Sequence, residues 1–195
     1  MSFAGRPQAL LLTPGAGSDR NHPLLLAIEA AVSPMPVARV DFPYRRAGRK
    51  APDPAPRMVA CVVEEGTALA ARAAVAPERI VLGGRSMGGR ICSMAVAEGH
   101  PACGLLLISY PLHPPGRPER LRREHFPAIE VPCLFVSGTR DPFATPDELE
   151  AASALIAGPV AYDWIEGAGH ELRGADTRVA ASVAEWLSGG AAGPV

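Results

Sequence analysis

Short apolar runs alternate along the chain with longer stretches whose apolar residues recur every three or four positions. The runs are Ala9–Thr13, Val37–Asp41, Ile80–Gly83, Gly104–Ser109 and Cys133–Ser137. Four of these five are apolar on consecutive positions, which is how parallel strands covered on both faces read. Val37–Asp41 carries Arg39 in its middle, and this places it at one sheet edge. A sixth run, Val160–Ile165, alternates Val160, Tyr162 and Trp164 with Ala161 and Asp163. That period of two places it near the other edge.

The intervening stretches read as helices. Pro23 suits a first helical position, and Leu25, Ile28 and Val32 follow on one face. Met58, Val59, Val62, Leu69 and Ala73 form a longer stripe after Pro54-Ala55-Pro56. Met87, Ile91, Met94 and Ala95 form another. Thr145-Pro146-Asp147-Glu148 is a capping box with proline at N1. Asp176 is placed to cap a last helix whose face is Val179, Val183 and Leu187 and which stops at Gly189-Gly190. With no internal repeat, this order predicts one domain over 1–195, with loose tails at 1–8 and 190–195. Its architecture is a three-layer α/β/α sandwich around a mostly parallel sheet of about six strands.

Composition narrows the function classes. A chain of 195 residues, 48% apolar and 20% charged, buries a full core and is not disordered. A formal net charge of −1 gives no global reason to expect nucleic acid or an acidic membrane as partner. Cys61, Cys92, Cys103 and Cys133 lie inside apolar runs without metal-ligand spacing, so they read as free buried thiols of a reducing compartment. Ala9–Leu12 is too short for a signal core and nothing has the length of a membrane span, so the expected location is the cytoplasm. No cofactor or metal is expected, and oligomeric state is left open.

Candidate chemistry enters at Gly84-Arg85-Ser86-Met87-Gly88, between an apolar strand and a helical stretch. This is G-x-S-x-G in a strand–turn–helix context, a nucleophile elbow. A serine hydroxyl attacks only when it stands clear of the backbone beside a base. The sharp turn that achieves this strains the serine, and side chains two residues away would collide with adjoining elements. Ligands of such sheets meet the loops leaving the carboxyl ends of strands. Those loops carry, in order, Thr13–Asp19, Ser86, Gly138-Thr139-Arg140-Asp141-Pro142-Phe143 and Glu166–Glu171 with His170.

The order Ser86, Asp141, His170 resembles that of the α/β-hydrolases. The chain is more closely similar to a compact, lid-poor branch related to dienelactone hydrolases and to a testis-expressed and chromatin-complex group. Pro14-Gly15-Ala16-Gly17, Asp41-Phe42-Pro43-Tyr44-Arg45-Arg46, Gly83–Gly89 and Ser137–Phe143 carry that closer match, and the likeness runs from Leu10 to Leu187. It implies a serine hydrolase acting on a carboxylic ester or thioester of a small acyl group. Ser86 would be the nucleophile, His170 the general base and Asp141 the residue that holds the imidazole. The oxyanion hole would use the Met87 N–H and a first-loop N–H, from Ala16 or its neighbour Gly17. Related enzymes carry His-Gly where this chain has Pro14-Gly15, so the usual brace of that loop is missing. A non-catalytic binding or scaffold protein on the same fold is the alternative, although such members usually lose a triad residue.

Several residues have plainer readings. Ser86 also suits an ordinary tight turn, and Asp141 before Pro142 suits turn initiation. Glu166 is a rival acid, but it lies on the same loop as His170. His100 ends a helix, while His113 and His125 fall in the connector after the fourth strand. His22 reads as a helix cap or as a residue lining the site. The Pro14–Ser18 loop lacks the spacing of a phosphate-binding motif. Arg45, Arg46, Arg49 and Lys50 form one basic loop, and Arg117, Arg120, Arg122 and Arg123 another. They read either as solvated surface or as an electropositive rim. On the rim reading, Tyr44, Arg85, Arg120, Arg122 and Arg123 join His22 as substrate-binding candidates.

Overall fold

The computed structural model describes residue 3 and residues 5–189. Six strands form one parallel sheet: β1 (Ala9–Thr13), β2 (Val37–Arg39), β3 (Ile80–Arg85), β4 (Gly104–Ile108), β5 (Cys133–Gly138) and β6 (Val160–Ile165). Their spatial order is β2-β1-β3-β4-β5-β6. The chain therefore moves outward from β1 to β2, then jumps back to the other side of β1 for β3. The loops after β1 and β3 diverge at this reversal and leave a crevice at the carboxyl edge of the sheet. β2, the run with Arg39 in it, and β6, the alternating run, are the edge strands.

Six helices cover the two faces: α1 (Pro23–Ala31), α2 (Pro43–Arg46), α3 (Ala55–Ala73), α4 (Met87–Ala97), α5 (Pro146–Ser153) and α6 (Asp176–Leu187). Consecutive apolar residues in the inner strands feed two cores. Leu11, Leu82, Leu105, Leu107 and Phe135 meet Met58, Val62, Ile91 and Leu149 on the α3–α4–α5 face. Leu10, Leu12, Val81, Leu106 and Leu134 meet Leu25, Ile28, Val179 and Val183 on the α1–α6 face. Burying a large aliphatic side chain contributes about 1.5–3 kcal/mol, so this double coverage holds the strand ends in fixed register.

Local signals account for most boundaries. Thr145 Oγ1 accepts from the Glu148 N–H, and Glu148 returns a carboxylate to the Thr145 N–H, completing the expected capping box. Asp176, expected as a cap, is instead the first residue of α6, and Ala175 takes the N-cap position without a side-chain bond. The turn closed by the Ala175 N–H on the Leu172 carbonyl starts the helix one residue early. The Asp176 carboxylate still lies in the first turn, where the helix dipole favours it.

The second strand ends at Arg39 rather than Asp41, although Val40 N–H still donates to Leu12 O over 2.9 Å. The single turn α2 has no counterpart in the sequence pattern, since four residues are too few to show helical periodicity. Of the 1–8 segment, Phe3 packs edge-on against Trp186 at 4.9 Å, Pro7 is buried, and Gln8 N–H donates to Arg79 O. The described part of that stretch is thus tied down rather than loose. The expected tail at 190–195 lies outside the described residues. All four cysteines are buried free thiols. Among the described residues no helix is long and apolar enough to cross a membrane.

Candidate active site

Ser86 stands between the last residue of β3 and the first of α4 with φ 51° and ψ −121°. A non-glycine residue in this region is strained by about 1–3 kcal/mol, and the packing around it enforces the turn. A Cβ on Gly84 would lie 2.2 Å from Thr13 Oγ1 and 2.5 Å from Thr13 O. A Cβ on Gly88 would lie 2.5 Å from the same hydroxyl and 2.6 Å from Pro14 O. Both elbow glycines are therefore required by the end of β1, which passes through the turn.

Ser86, His170 and Asp141 meet across three loops. Both Asp141 carboxylate oxygens accept from His170 Nδ1, at 2.8 and 3.0 Å. A carboxylate has no hydrogen to give, so Nδ1 carries the proton and Nε2 presents a lone pair. Ser86 Oγ lies 2.9 Å from that Nε2 and donates to it. The Asp141 side chain is 1% exposed and that of His170 12%. Phe143 N–H also donates to Asp141 Oδ1 over 2.9 Å, which fixes the carboxylate.

The Asp141 and His170 loops are stitched to each other. Arg140 N–H donates to Ala168 O and Thr139 N–H to Ile165 O. Gly138 permits this approach, because a Cβ there would sit 2.1 Å from Ala168 O. Glu166, the rival acid, instead accepts from Thr139 Oγ1, and the imidazole's hydrogen bonds go to Asp141 and Ser86. Phe143 covers the His170 ring at a centroid separation of 4.1 Å. Stacking across two loops leaves no local signal in the sequence, so the motif Gly138–Phe143 by itself assigns Phe143 no role.

The first loop runs beside the elbow: a Cβ on Gly15 would lie 3.5 Å from Ser86 Cβ. A turn closes it, with Ser18 N–H and Oγ both donating to Gly15 O. Among the described residues the N–H groups of Ala16 and Gly17 donate to no acceptor. The Met87 N–H, in the first turn of α4, has no intrahelical partner either. Tyr44, a substrate-binding candidate from sequence, is fully buried and donates its hydroxyl to Ala16 O over 2.9 Å. It braces the loop and does not face the crevice.

The other candidates separate. His22 caps α1, its Nδ1 accepting from the Leu24 N–H at 3.2 Å, and burial with Arg85 alongside lowers its pKa. Arg85 is 5% exposed and its Nη2 engages Glu171 Oε1 at 2.7 Å, so its side chain turns into the protein rather than toward a substrate. Arg45, Arg46 and Arg49 pair with Asp19, Glu65 and Asp53. Arg120 and Arg122 line a cleft of about 370 Å³ with Pro114, Glu119, Leu121 and Glu124, and neither Ser86 nor His170 lines it. Arg122 Nη1 donates to Pro111 O, and Arg123 O accepts from Phe126 N–H. These contacts bind the connector to itself.

Two further groups bear on the chemistry. Cys92 Sγ lies 3.5 Å from Thr13 Oγ1, and burial pushes its thiol up to about 12, so it offers no rival thiolate. Among the described residues no group of three or more His, Cys, Asp or Glu side chains is placed to hold a metal ion.

Comparison with known proteins gives the same fold. The model of the α/β-hydrolase domain family matches residues 6–187, and the chain belongs to that family. An α/β serine hydrolase homologue from Coxiella burnetii superposes with a TM-score of 0.74 at 17% identity, covering 93% of this chain and 88% of that one. Dienelactone hydrolase from Anabaena variabilis gives 0.72 at 20% identity over 96% of this chain and 88% of the other. A monoacylglycerol lipase from Paleococcus ferrophilus gives 0.72 at 15% identity over 97% and 99%. In sequence, the chain is 40% identical over 62 residues to epoxide hydrolase A of Mycobacterium tuberculosis, a match covering 31% of this chain and only 19% of that relative.

Proposed function

We propose that the protein is a serine hydrolase that cleaves carboxylic esters or thioesters of small acyl groups through an acyl-enzyme on Ser86. The observation that carries this reading is the unbroken hydrogen-bonded chain from Ser86 Oγ through His170 to Asp141. That chain is set on a strained elbow beside a loop with free N–H groups.

In this reading Ser86 Oγ attacks the acyl carbonyl carbon as His170 Nε2 takes its proton. The carbonyl π pair moves onto oxygen, and Asp141 stabilises the imidazolium that forms. The oxyanion is held by the Met87 N–H and by the N–H of Ala16 or Gly17, dipoles that are oriented before charge develops. Collapse breaks the bond to the alcohol or thiol, which leaves with the proton from His170. Water then repeats the sequence, attacking the acyl carbon under His170 and releasing Ser86. The connector between β4 and β5 is pinned by the fully buried Phe126 and by Tyr110 Oη–H donating to Arg122 O. A short connector held in this way suits small acyl substrates.

The direct test is labelling with a fluorophosphonate probe, which requires an activated serine and no knowledge of the substrate. The expected result is one covalent adduct, located on Ser86 and lost in Ser86→Ala. A folded wild type that takes no label, or one labelled elsewhere, overturns the assignment.

A further inference from the structure

We propose that Arg85 and Glu171 form a positioning pair that holds the imidazole of His170 in line with Ser86, an inference that rests on the hydrolase reading above. Arg85 is the chain neighbour of Ser86, yet its guanidinium reaches the loop that carries His170. Nη2 donates to Glu171 Oε1 at 2.7 Å and to the His170 carbonyl at 3.3 Å. Among the described residues that carbonyl accepts from no other group. The first half of the loop is fixed independently, by Arg140 on Ala168 and by Thr139 Oγ1 on the Gly167 N–H. Its second half, including His170, is tied to the elbow through Arg85.

The placement of the guanidinium argues for a geometric task. It is almost wholly buried, and its Nε is enclosed without a partner, so it makes no compensating hydrogen bond there. Its counter-ion is more than half exposed, at 55%. A pair of this kind returns little net stability, because desolvating the cation offsets most of the attraction. It does impose direction, since the planar guanidinium offers its donors at fixed angles. Arg85 Nη1 also lies 3.1 Å from where a Cβ on Gly15 would sit. The same side chain therefore starts at the elbow, passes beside Gly15 of the first loop and ends on the histidine loop.

Charge adds a second consequence. His170 faces Asp141 and Ser86 through hydrogen bonds, with Phe143 on its ring and Arg85 and Glu171 beside its backbone. His22 and Asp176 lie further out around Arg85 and Glu171. Glu171 is held in its ionised form chiefly by its bond to Arg85. It thereby cancels a cation that would otherwise oppose formation of the imidazolium during turnover.

The test compares Arg85→Gln, Arg85→Lys, Glu171→Ala and the Arg85→Gln/Glu171→Ala double variant. Readouts are fluorophosphonate labelling, steady-state hydrolysis of p-nitrophenyl acetate and the low-field proton resonance of His170 Nδ1. Arg85→Gln should lower kcat and the labelling rate on the order of 10- to 100-fold with KM nearly unchanged, the scale of small misplacements of a reacting group. It should also broaden or remove the Nδ1–H resonance. Arg85→Lys should recover part of the rate. Glu171→Ala, an exposed change that cannot leave a core void, should lower the rate in the same direction. The double variant should be no slower than Arg85→Gln alone, as expected of residues acting through one contact. Arg39→Gln, which breaks a pair with Glu29 at the β2 edge, is the control and should match wild type.

Wild-type labelling and an unchanged resonance in folded Arg85→Gln and in Glu171→Ala would overturn the positioning role while leaving the hydrolase reading intact. Absence of label in the wild type would instead remove the hydrolase reading, and the proposal with it.

Discussion

The Tyr44 hydroxyl donates to the Ala16 carbonyl over 2.9 Å, from a side chain with no exposed surface. Tyr44 sits in the one-turn helix α2, so the turn after β2 holds the loop after β1. The peptide whose carbonyl is held in this way points its N–H, that of Gly17, in the opposite direction. A brace applied at the carbonyl therefore orients the donor side of the same peptide plane. Tyr44→Phe keeps the packing against Phe42 and removes only that bond. It should cost about 1 kcal/mol of stability and lower kcat for p-nitrophenyl acetate several-fold. Denaturant unfolding and steady-state kinetics measure the two effects. An unchanged kcat would separate this loop from oxyanion binding.

Two replacements of the proposed nucleophile should agree in activity and part in stability. Ser86→Ala and Ser86→Gly should both lose activity on the order of 10⁶-fold, the scale set by removing a triad nucleophile. They should differ in stability, because only glycine adopts φ 51° and ψ −121° without strain. Ser86→Gly should be more stable than Ser86→Ala by about 1 kcal/mol, the strain relieved less the extra freedom of the unfolded glycine. Equal melting temperatures would mean that the elbow is not strained.

The glycines near the site should divide by what surrounds them. Gly88→Ala drives a Cβ to within 2.6 Å of the Thr13 and Pro14 carbonyl oxygens, and neither backbone can yield. It should cost more than about 2 kcal/mol and abolish labelling by separating β1 from the elbow. Gly17→Ala meets nothing within 4 Å and should leave the melting temperature within about a degree of wild type. A stable Gly88→Ala variant would contradict the close approach of these segments.

His125, which makes no hydrogen bond to Ser86, His170 or Asp141, should give the fold a pH dependence of its own. Its Nε2 lies 2.7 Å from Ser93 Oγ, and burial, with Arg90 nearby, pushes its pKa down to about 4 from 6.5. Below 6.5 the unfolded chain binds a proton that the folded chain refuses until about pH 4. The contribution is therefore complete above 6.5 and is lost as pH falls through that window. His125→Gln should flatten the slope of unfolding free energy between about pH 6.5 and 4, read from urea titrations at several pH values. A slope identical to wild type would exclude His125 as its source.

Much of this architecture is written in local pattern. The bounds of β1 and β6 coincide with their apolar runs, and the Thr145–Glu148 capping box formed where its residues stand. The elbow was legible because its glycines, its strand and its helix are contiguous. Each of these signals acts within a few residues, through backbone preference or through a side chain reaching its own turn.

What the sequence by itself determined is therefore the alternation of strand and helix, the two edge strands, and the order in which Ser86, Asp141 and His170 leave their strands. The tertiary structure decided which side chains meet. It set the Tyr44 hydroxyl on the Ala16 carbonyl, the Arg85 guanidinium on the His170 carbonyl and Phe143 on the imidazole, and bound Arg122 to its own connector. The Tyr44–Ala16 and Arg85–His170 contacts join positions 28 and 85 residues apart. Contacts at that range depend on strand order and register, which the packing of both cores fixes jointly and which no short stretch of chain encodes.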